Sequence, residues 1–479
     1  MKLSVATNWD LALLEHLGQI PQVSGVYGKK DRDLFGGGRP SYLLPEAGAE
    51  HVERYVRETH KRGFRFNYLI NSQCLDNLEY TAEFHSRIIE ELQWLDDIGV
   101  DDVTVSIPFL LQLIKRQFPR LRVTVSVFAN INSVQRAVFF EELGADTISL
   151  PEYVNRDFRL LEQITRAVSC DVQLIANMAC LFGCPFQLYH ANLVSHASQA
   201  EHVSRGFCPD YCILNCTKRK ISRPEEIIKA RWIRPEDTHV YEEVGIASFK
   251  IIERFDSTET LTRTVDAYAA RGYDGNLADI LNVKTRPQHQ LSPDVSYFLQ
   301  PDLADVSRLK DMEDTLYLAD QYIDNQALDG FLEFFKTKQC YTSSCDDCGY
   351  CGDLALDAVW IDPHAASRAL ERLDARLEDL VTSRMFEIKP QPKEGELYWG
   401  RSVREQFLKV VGRIPVEFRD VAAKAVSRRA FALAGERGAT EVQIEDVVRA
   451  FLSETPEAFQ PALREDLRVI APNFDYNLK

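Results

Sequence analysis

The sequence predicts an α/β protein built on a (β/α)8 TIM-like barrel, with a Cys-rich insertion, a second Cys-rich segment and a small C-terminal helical domain. Three observations carry this. Short β-rich runs alternate with amphipathic helical stretches through the first 255 residues, and a strand–helix–strand repeat implies a parallel sheet. Eight such runs over about 250 residues match the count and size of a closed barrel. No glycine-rich phosphate loop follows the first run, which disfavours a doubly wound open sheet; Gly36–Gly38 is too short and misplaced for one, and reads as a flexible loop.

The expected strands, in order, are Leu3–Asn8, Gly25–Lys29, Arg65–Asn71, Asp102–Ile107, Arg122–Ala129, Asp146–Leu150, Asp171–Asn177 and Ser248–Glu253. Between them lie helical patterns such as AGAEHVERYVRETHKRG and SVQRAVFFEELGA, the second closing at Gly144 as helix ends often do. The barrel domain thus covers residues 1–255, and its rhythm is broken by a long insertion at 178–245. Residues 256–395 read as a helical extension with a proline-punctuated loop, TRPQHQLSP. KPQPKEGE has the composition of a linker. Residues 396–479 form the small helical domain, in which VREQFLKVVGRIP, PVEFRDVAAKAVSRRAFALAGERG and TEVQIEDVVRAFLSE carry helical apolar spacing and Thr440 is placed to cap the third.

Composition narrows the function. The chain of 479 residues has 56 Lys+Arg against 72 Asp+Glu, a net charge of −16, with 45% hydrophobic and 27% charged residues. These are the proportions of a globular protein. No run approaches the ~20 apolar residues of a membrane helix, and the N-terminus lacks a signal-peptide pattern. A cytoplasmic protein without a membrane partner is expected. The acidic balance argues against a broad nucleic-acid face and against DNA as a partner, because polyanion binding needs clustered cations. Lys218, Arg219, Lys220 and Arg223 form the one short basic patch.

Cysteine usage is the strongest signal. Of 11 cysteines, Cys74 and Cys170 stand alone, five fall between 180 and 216, and four between 340 and 351. In a reducing compartment, crowded cysteines point to metal rather than disulfides. The first group reads NMACLFGCPFQLYH and SRGFCPDYCILNCTKRK. Cys180 and Cys184 are four apart, as are Cys208 and Cys212, and Cys212 and Cys216; on a helix, that spacing puts two thiols on one face. Zinc knuckles prefer a two-residue gap, whereas iron–sulfur clusters accept varied spacings, so a cluster is favoured over zinc and over metal-free buried cysteines. Cys180 and Cys184 also follow the seventh strand, on the face where barrel enzymes place their chemistry.

These stretches resemble the peptidase U-32 family, whose barrels carry a late cysteine quartet and whose members include iron–sulfur, oxygen-independent hydroxylases of the ubiquinone pathway and of RNA. The similarity lies in Ala176–Cys180, Ser204–Cys212 and ARWIRPEDTHVYEEVGIASFKIIER, and extends over most of residues 20–285. It implies a 4Fe-4S cluster on Cys180, Cys184, Cys212 and Cys216. Three cysteines compete for the last two places, and Cys208 is the substitute. The Cys180–Cys184 gap is narrower than in the hydroxylase branches.

The second group, CYTSSCDDCGYC, has gaps of four, two and two, combining features of plant-type and bacterial ferredoxin runs. Cys340, Cys345, Cys348 and Cys351 would hold a second 4Fe-4S cluster or a structural zinc. Two clusters would form an electron relay. The C-terminal tail is similar to the small helical domain of the light-independent protochlorophyllide reductase B subunit at Trp399, Ile414, Pro415, Phe418, Arg419, Ala432–Gly438 and Thr440; the plainer reading is a docking domain with Trp399 and Phe418 in its core.

Asn71, Glu152, Asn177, Lys250, Glu253 and Arg254 fall at or just past strand C-termini, where they would face one cavity. His190 and His196 follow the first cysteine pair; His190 would transfer protons or be held by backbone. His190, Asn177, Glu253 and Arg254 form the expected catalytic set, with Glu253 and Arg254 a buried pair for a substrate carboxylate or a structural ion pair. Trp232 and Arg234 offer a stacking surface and an anion fork, or pack the insertion onto the barrel. Asp274 and Asn276 line the site or form a plain turn. No GxSxG, HExxH or Walker motif occurs.

The leading expectation is an oxygen-independent iron–sulfur redox enzyme, by resemblance a hydroxylase of an aromatic or heteroaromatic substrate: a quinone precursor or related small molecule, or an RNA base. An electron donor protein or partner subunit would serve it. The alternatives are a U-32-type peptidase, and a non-catalytic iron–sulfur or zinc protein acting in maturation or partner binding.

Overall fold

The computed structural model describes residues 1–283, 319–383, 398–399 and 401–476, apart from 46, 201, 205, 440, 457, 458 and 473. The TRPQHQLSP and KPQPKEGE segments and the Thr440 cap lie outside these. The described residues fall into two compact units, one holding residues 1–283 and 319–383, the other residues 398–476.

In the first unit, β1 (Lys2–Ala6), β2 (Val23–Gly28), β3 (Arg65–Ile70), β4 (Asp102–Val105), β5 (Arg122–Val125), β6 (Thr147–Leu150), β7 (Asp171–Ile175) and β8 (Ser248–Ile251) close a parallel barrel. Closure is made by β8 on β1, in register from Lys2 opposite Ser248 to Val5 opposite Ile251. Each expected run becomes a strand, and all but β6 end short of the expected C-terminal residue, because there the chain turns out into the loops that carry the site. Val, Ile and Thr suit a strand buried on both faces, and all four residues of β4 are buried. Some helices between the strands start on side-chain caps, as where Ser133 accepts from the Arg136 amide and Asp157 from Leu160. Gly144 sits at φ +106°, as its place after the helix Val134–Glu142 requires.

The Gly36–Gly38 run is not a flexible loop. All three glycines are buried, and Gly36 holds φ +73° where a Cβ would stand 2.4 Å from the Ser195 carbonyl oxygen. The run is wedged between the barrel mouth and the helix Gln187–His196; its lack of side chains permits the approach.

The insertion between β7 and β8 forms the helices Gln187–His196, Tyr211–Ser222, Glu225–Lys229 and Thr238–Glu243. Trp232 is fully buried, stacks on Phe331 and donates its indole N–H to the Ile227 carbonyl. Arg234 is equally buried and pairs with Asp329 at 2.6 Å and with the Leu328 carbonyl. Both therefore pack the insertion against the 328–331 segment, and the anion-fork expectation for Arg234 fails. Asn276 is a structural brace, donating to the Gln321 carbonyl and accepting from Ile323.

Downstream, Gln321–Ile323 pairs antiparallel with Val359–Ile361. The helix Pro363–Thr382 packs on Tyr211–Ser222 through Ala369, Leu373 and Leu377 against Leu214 and Ile221; each such buried leucine contributes roughly 1.5–3 kcal/mol. That clamp fixes the helix bearing Cys212 and Cys216.

The second unit packs the helices Arg401–Val411, Val416–Glu436, Ile444–Glu454 and Gln460–Ile470 around Phe407, Val426, Val447, Phe451 and Leu467. Trp399 joins this core against Phe407 and Phe431. Phe418 does not: it is 64% exposed, because its position on the helix faces away from the core, while neighbouring Arg419 caps the Gly412 and Ile414 carbonyls. The third helix begins with a capping box between Gln443 and Asp446. No helix among the described residues is long and apolar enough to cross a membrane.

Candidate functional site

At the C-terminal end of the barrel lies a cavity of about 180 Å³ whose walls include Cys180, Cys184, Cys212 and Cys216 together. The four thiols reach it by two local geometries. Cys180 and Cys184 sit in the turn after β7, where Gly183 takes φ +66°. Cys212 and Cys216 lie one turn apart on the helix Tyr211–Ser222, so both face the same way. Cys208 precedes that helix, is absent from the cavity wall, and its thiol is 3.6 Å from an Asp210 carboxylate oxygen.

Burial pushes the Cys180 and Cys184 thiols up, and Cys212 up to about 12. Lys220 opposes this at Cys180 and Cys184. Sequence reasoning placed Lys220 in a surface basic patch; in the fold it is 5% exposed and lines the thiol cavity. The rest of that patch is neutralised locally: Lys218 pairs with Asp374, Arg219 with Glu226, and Arg223 with Glu225 and Asp346. A cation turned inward toward four thiols, of which Cys212 is buried and the others half-buried, suits a centre that carries negative charge once the thiols ionise on a metal.

Around the thiols, Phe128, Phe186, Phe255 and Leu43 supply apolar wall. Glu152 also lines the cavity; it is buried, accepts from the Gln187 side-chain amide at 3.0 Å, and burial raises its pKa. His190 projects from the helix Gln187–His196 with its Nε2 buried and without a hydrogen-bond partner. Burial, helped by Arg39, lowers its pKa to about 4, so the ring is neutral near pH 7.

Glu253 faces the cavity too, but Arg39 rather than Arg254 is its ion-pair partner. Arg39 grips both carboxylate oxygens at 3.1 and 2.6 Å, and Asn282 donates to the same carboxylate. Arg39 carried no motif; its contact spans 214 residues of chain. Glu253 holds φ +97°, a backbone conformation costing of order 1–3 kcal/mol, of the kind found at functional sites. Arg254 is buried with Nη1 unpartnered. Lys250 lies 3.9 Å over the Tyr27 ring, and burial with Arg254 and Arg39 lowers its pKa to about 7. Asn71 donates to Ser126 while its Oδ1 is unpartnered. Asn177 is outside the cavity wall and braces the loop after β8, donating to the Ile252 carbonyl and accepting from the Ile252 amide.

The second group, Cys340, Cys345, Cys348 and Cys351, lines its own small cavity of about 20 Å³ with Phe182 and Arg231. Arg231 is buried, its Nε and Nη1 lack hydrogen-bond partners, and its guanidinium lies 4.0 Å over the Phe182 ring. A buried cation with orphaned donors fits beside a metal–thiolate centre. Phe182 belongs to the loop between Cys180 and Cys184 and contacts Tyr341 at 4.9 Å. Cys184 and Cys345 also line one further cavity of about 630 Å³. The two thiol groups are therefore neighbours.

A (β/α)8 barrel with a thiol quartet at its mouth, fed by an insertion between β7 and β8, defines the class of protein. The family model described as Peptidase family U32 matches residues 46–282. An uncharacterized protease of Methanocaldococcus jannaschii is 31% identical over 327 residues, covering 68% of this chain and 86% of that protein. The solved structure of a U32 peptidase is 21% identical, covers 52% of this chain and 91% of its own, and superposes with a TM-score of 0.40. The chain belongs to peptidase family U32.

Proposed function

We propose that this protein is a redox enzyme in which Cys180, Cys184, Cys212 and Cys216 hold a 4Fe-4S cluster beside a pocket for an anionic, ring-bearing substrate. The observation that carries the reading is the convergence of four thiols and the Lys220 ammonium on one cavity at the barrel mouth. The exclusion of Cys208 from the cavity wall supports the same quartet. A bound cluster would take up single electrons from the cavity; the resemblance to the hydroxylase branches suggests oxygen-independent hydroxylation of an aromatic or heteroaromatic molecule, a small metabolite or an RNA base, in which two electrons leave the substrate as the C–H bond gives way to C–OH.

The chain's own residues supply the rest. The phenylalanines offer apolar surface to a flat ring. Lys250, Arg254 and the Arg39–Glu253 pair place more cation than anion near the mouth, which favours a carboxylate or phosphate on the substrate. Neutral His190, with Nε2 unpartnered, can take a proton from a substrate oxygen, and Glu152, whose pKa burial raises, is a second titratable group on the same wall. Phe182 and Tyr341 link the quartet to the second group, which would hold a second cluster or a structural zinc. A second cluster would relay electrons between the quartet and a partner protein.

The family name and the Methanocaldococcus relative favour peptide cleavage as the second reading. Hydrolysis by a nucleophile needs a base paired with it; among the described residues His190 Nε2 pairs with none. The test is anaerobic purification with iron, sulfide and zinc assayed together, followed by peptide-cleavage and redox assays. Iron and sulfide in cluster stoichiometry support the proposal. Zinc alone at the quartet, or peptide cleavage insensitive to iron removal, rejects it.

A further inference from the structure

Cys74 stands alone in sequence but not in space. It lies in the loop after β3, where Asp76 donates its amide to the Cys74 sulfur at 3.2 Å and sets a carboxylate oxygen 3.6 Å from it. The helix Gln187–His196 brings His196 to the same point. Cys74 Sγ, an Asp76 oxygen and a His196 ring nitrogen all lie within 4.8 Å of one another. His202, from the following loop, flanks the group but stands outside the set that meets within 4.8 Å: its Nε2 is 3.6 Å from Asp76 Oδ2, while His196 Nε2 is 3.8 Å from Oδ1.

The Cys74 Sγ–Asp76 contact is a long sulfur hydrogen bond, while the two histidine–carboxylate separations are too long for hydrogen bonds, which run at about 2.7–3.2 Å. They match the edges of a tetrahedron with metal–ligand bonds of about 2.0–2.3 Å, roughly 3.3–3.8 Å. Two independent observations point to a ligand. His196 Nε2 is buried without a hydrogen-bond partner. The two imidazoles stack at 4.1 Å with planes 9° apart, which brings both Nε2 atoms to one carboxylate that neither hydrogen-bonds. His202 Nδ1 meets the Ser204 hydroxyl at 2.9 Å, the kind of outer contact that fixes a ligating imidazole with its other nitrogen presented.

We propose that Cys74, Asp76 and His196 bind a borderline divalent transition metal of the zinc class, with His202 drawn in as the fourth ligand on binding. One thiolate, two imidazoles and one carboxylate suit Zn2+, and four protein ligands leave no open position, so the site is structural. It clamps the loop after β3 to the insertion between β7 and β8. Hydrogen bonds already align the two: the Gln199 side-chain amide donates to the Cys74 carbonyl at 2.7 Å, and the Gln73 amide to the Ser195 hydroxyl at 3.4 Å. The clamped helix is the one that carries His190 into the thiol cavity.

The test uses the full-length Cys345→Ser/Cys348→Ser variant, which removes the second thiol group as a metal site, purified anaerobically with the quartet's iron, stripped of labile zinc by a mild chelator and loaded with Co2+ as the probe. A thiolate-to-cobalt charge-transfer band is expected, lost on adding Cys74→Ser and at least tenfold weaker in affinity on adding His202→Gln, with iron and sulfide unchanged. Zinc-edge X-ray absorption of the same variant before chelation should show one sulfur among nitrogen and oxygen neighbours. Cobalt binding indifferent to both substitutions, or a zinc shell dominated by sulfur, would overturn the site. His202→Gln keeps the test valid should Cys74→Ser fold poorly.

Discussion

The two cysteine groups offer the same four thiols in opposite ways. Cys340, Cys345, Cys348 and Cys351 come from twelve consecutive residues, with Ser344 capping the short turn Cys345–Cys348, so their convergence is almost wholly local. Cys180, Cys184, Cys212 and Cys216 meet because the first pair follows barrel strand β7 and the helix Tyr211–Ser222, bearing the second, is clamped by the helix Pro363–Thr382 through Leu214 and Ile221. One group is a property of a peptide, the other of a fold. The difference teaches that the first centre is coupled to global stability and to the cavity beside it, while the second can be assembled cheaply and reads most simply as an accessory.

The largest expected effect breaks the comparison outright. Cys184→Ser or Cys212→Ser should bring redox activity to background with loss of the quartet's iron, whereas Cys348→Ser should leave that iron in place; iron analysis and the absorbance spectrum distinguish them. Next, Gly36→Ala forces a Cβ to 2.4 Å from the Ser195 carbonyl at a left-handed backbone position. It should cost about 2–4 kcal/mol in urea unfolding and loosen the quartet while sparing the 340–351 centre.

Arg39→Lys, which keeps charge but loses the two-pronged grip on Glu253, should raise KM for an anionic substrate about tenfold or more. Lys250 sharpens the same point. Its folded pKa of about 7 means it is charged below that pH, so affinity for an anion should fall as pH rises through 7, and Lys250→Met should flatten the profile. His190 acts on stability in the opposite sense. Its pKa drops from 6.5 to about 4 on folding, so the unfolded chain binds the proton first and stability falls as pH drops from 6.5 to 4; His190→Gln should remove that part of the slope. The smallest effect belongs to the surface: Arg223→Ala breaks a half-exposed pair with Asp346 and should change stability by under about 1 kcal/mol.

The barrel was legible because its strands are runs of Val, Ile and Thr whose burial follows from local pattern, and the cysteine pairs because four-residue spacing repeats. The pairing partners were not. Arg39 meets Glu253, and Cys74 meets His196, across long stretches of chain that no periodicity connects. Lys220 looked like surface charge because its neighbours Lys218, Arg219 and Arg223 are; its position on the helix, not its composition, turns it inward. The glycines at 36–38 read as slack for the same reason: their role is to admit the Ser195 backbone, which only the closed fold brings near.

The most direct test of the central claim is a diffraction map of anaerobically grown crystals recorded at the iron absorption edge. The account predicts a strong anomalous peak enclosed by Cys180, Cys184, Cys212 and Cys216, with Lys220 beside it. A map with no iron at the barrel mouth, whatever the 340–351 group holds, would contradict it.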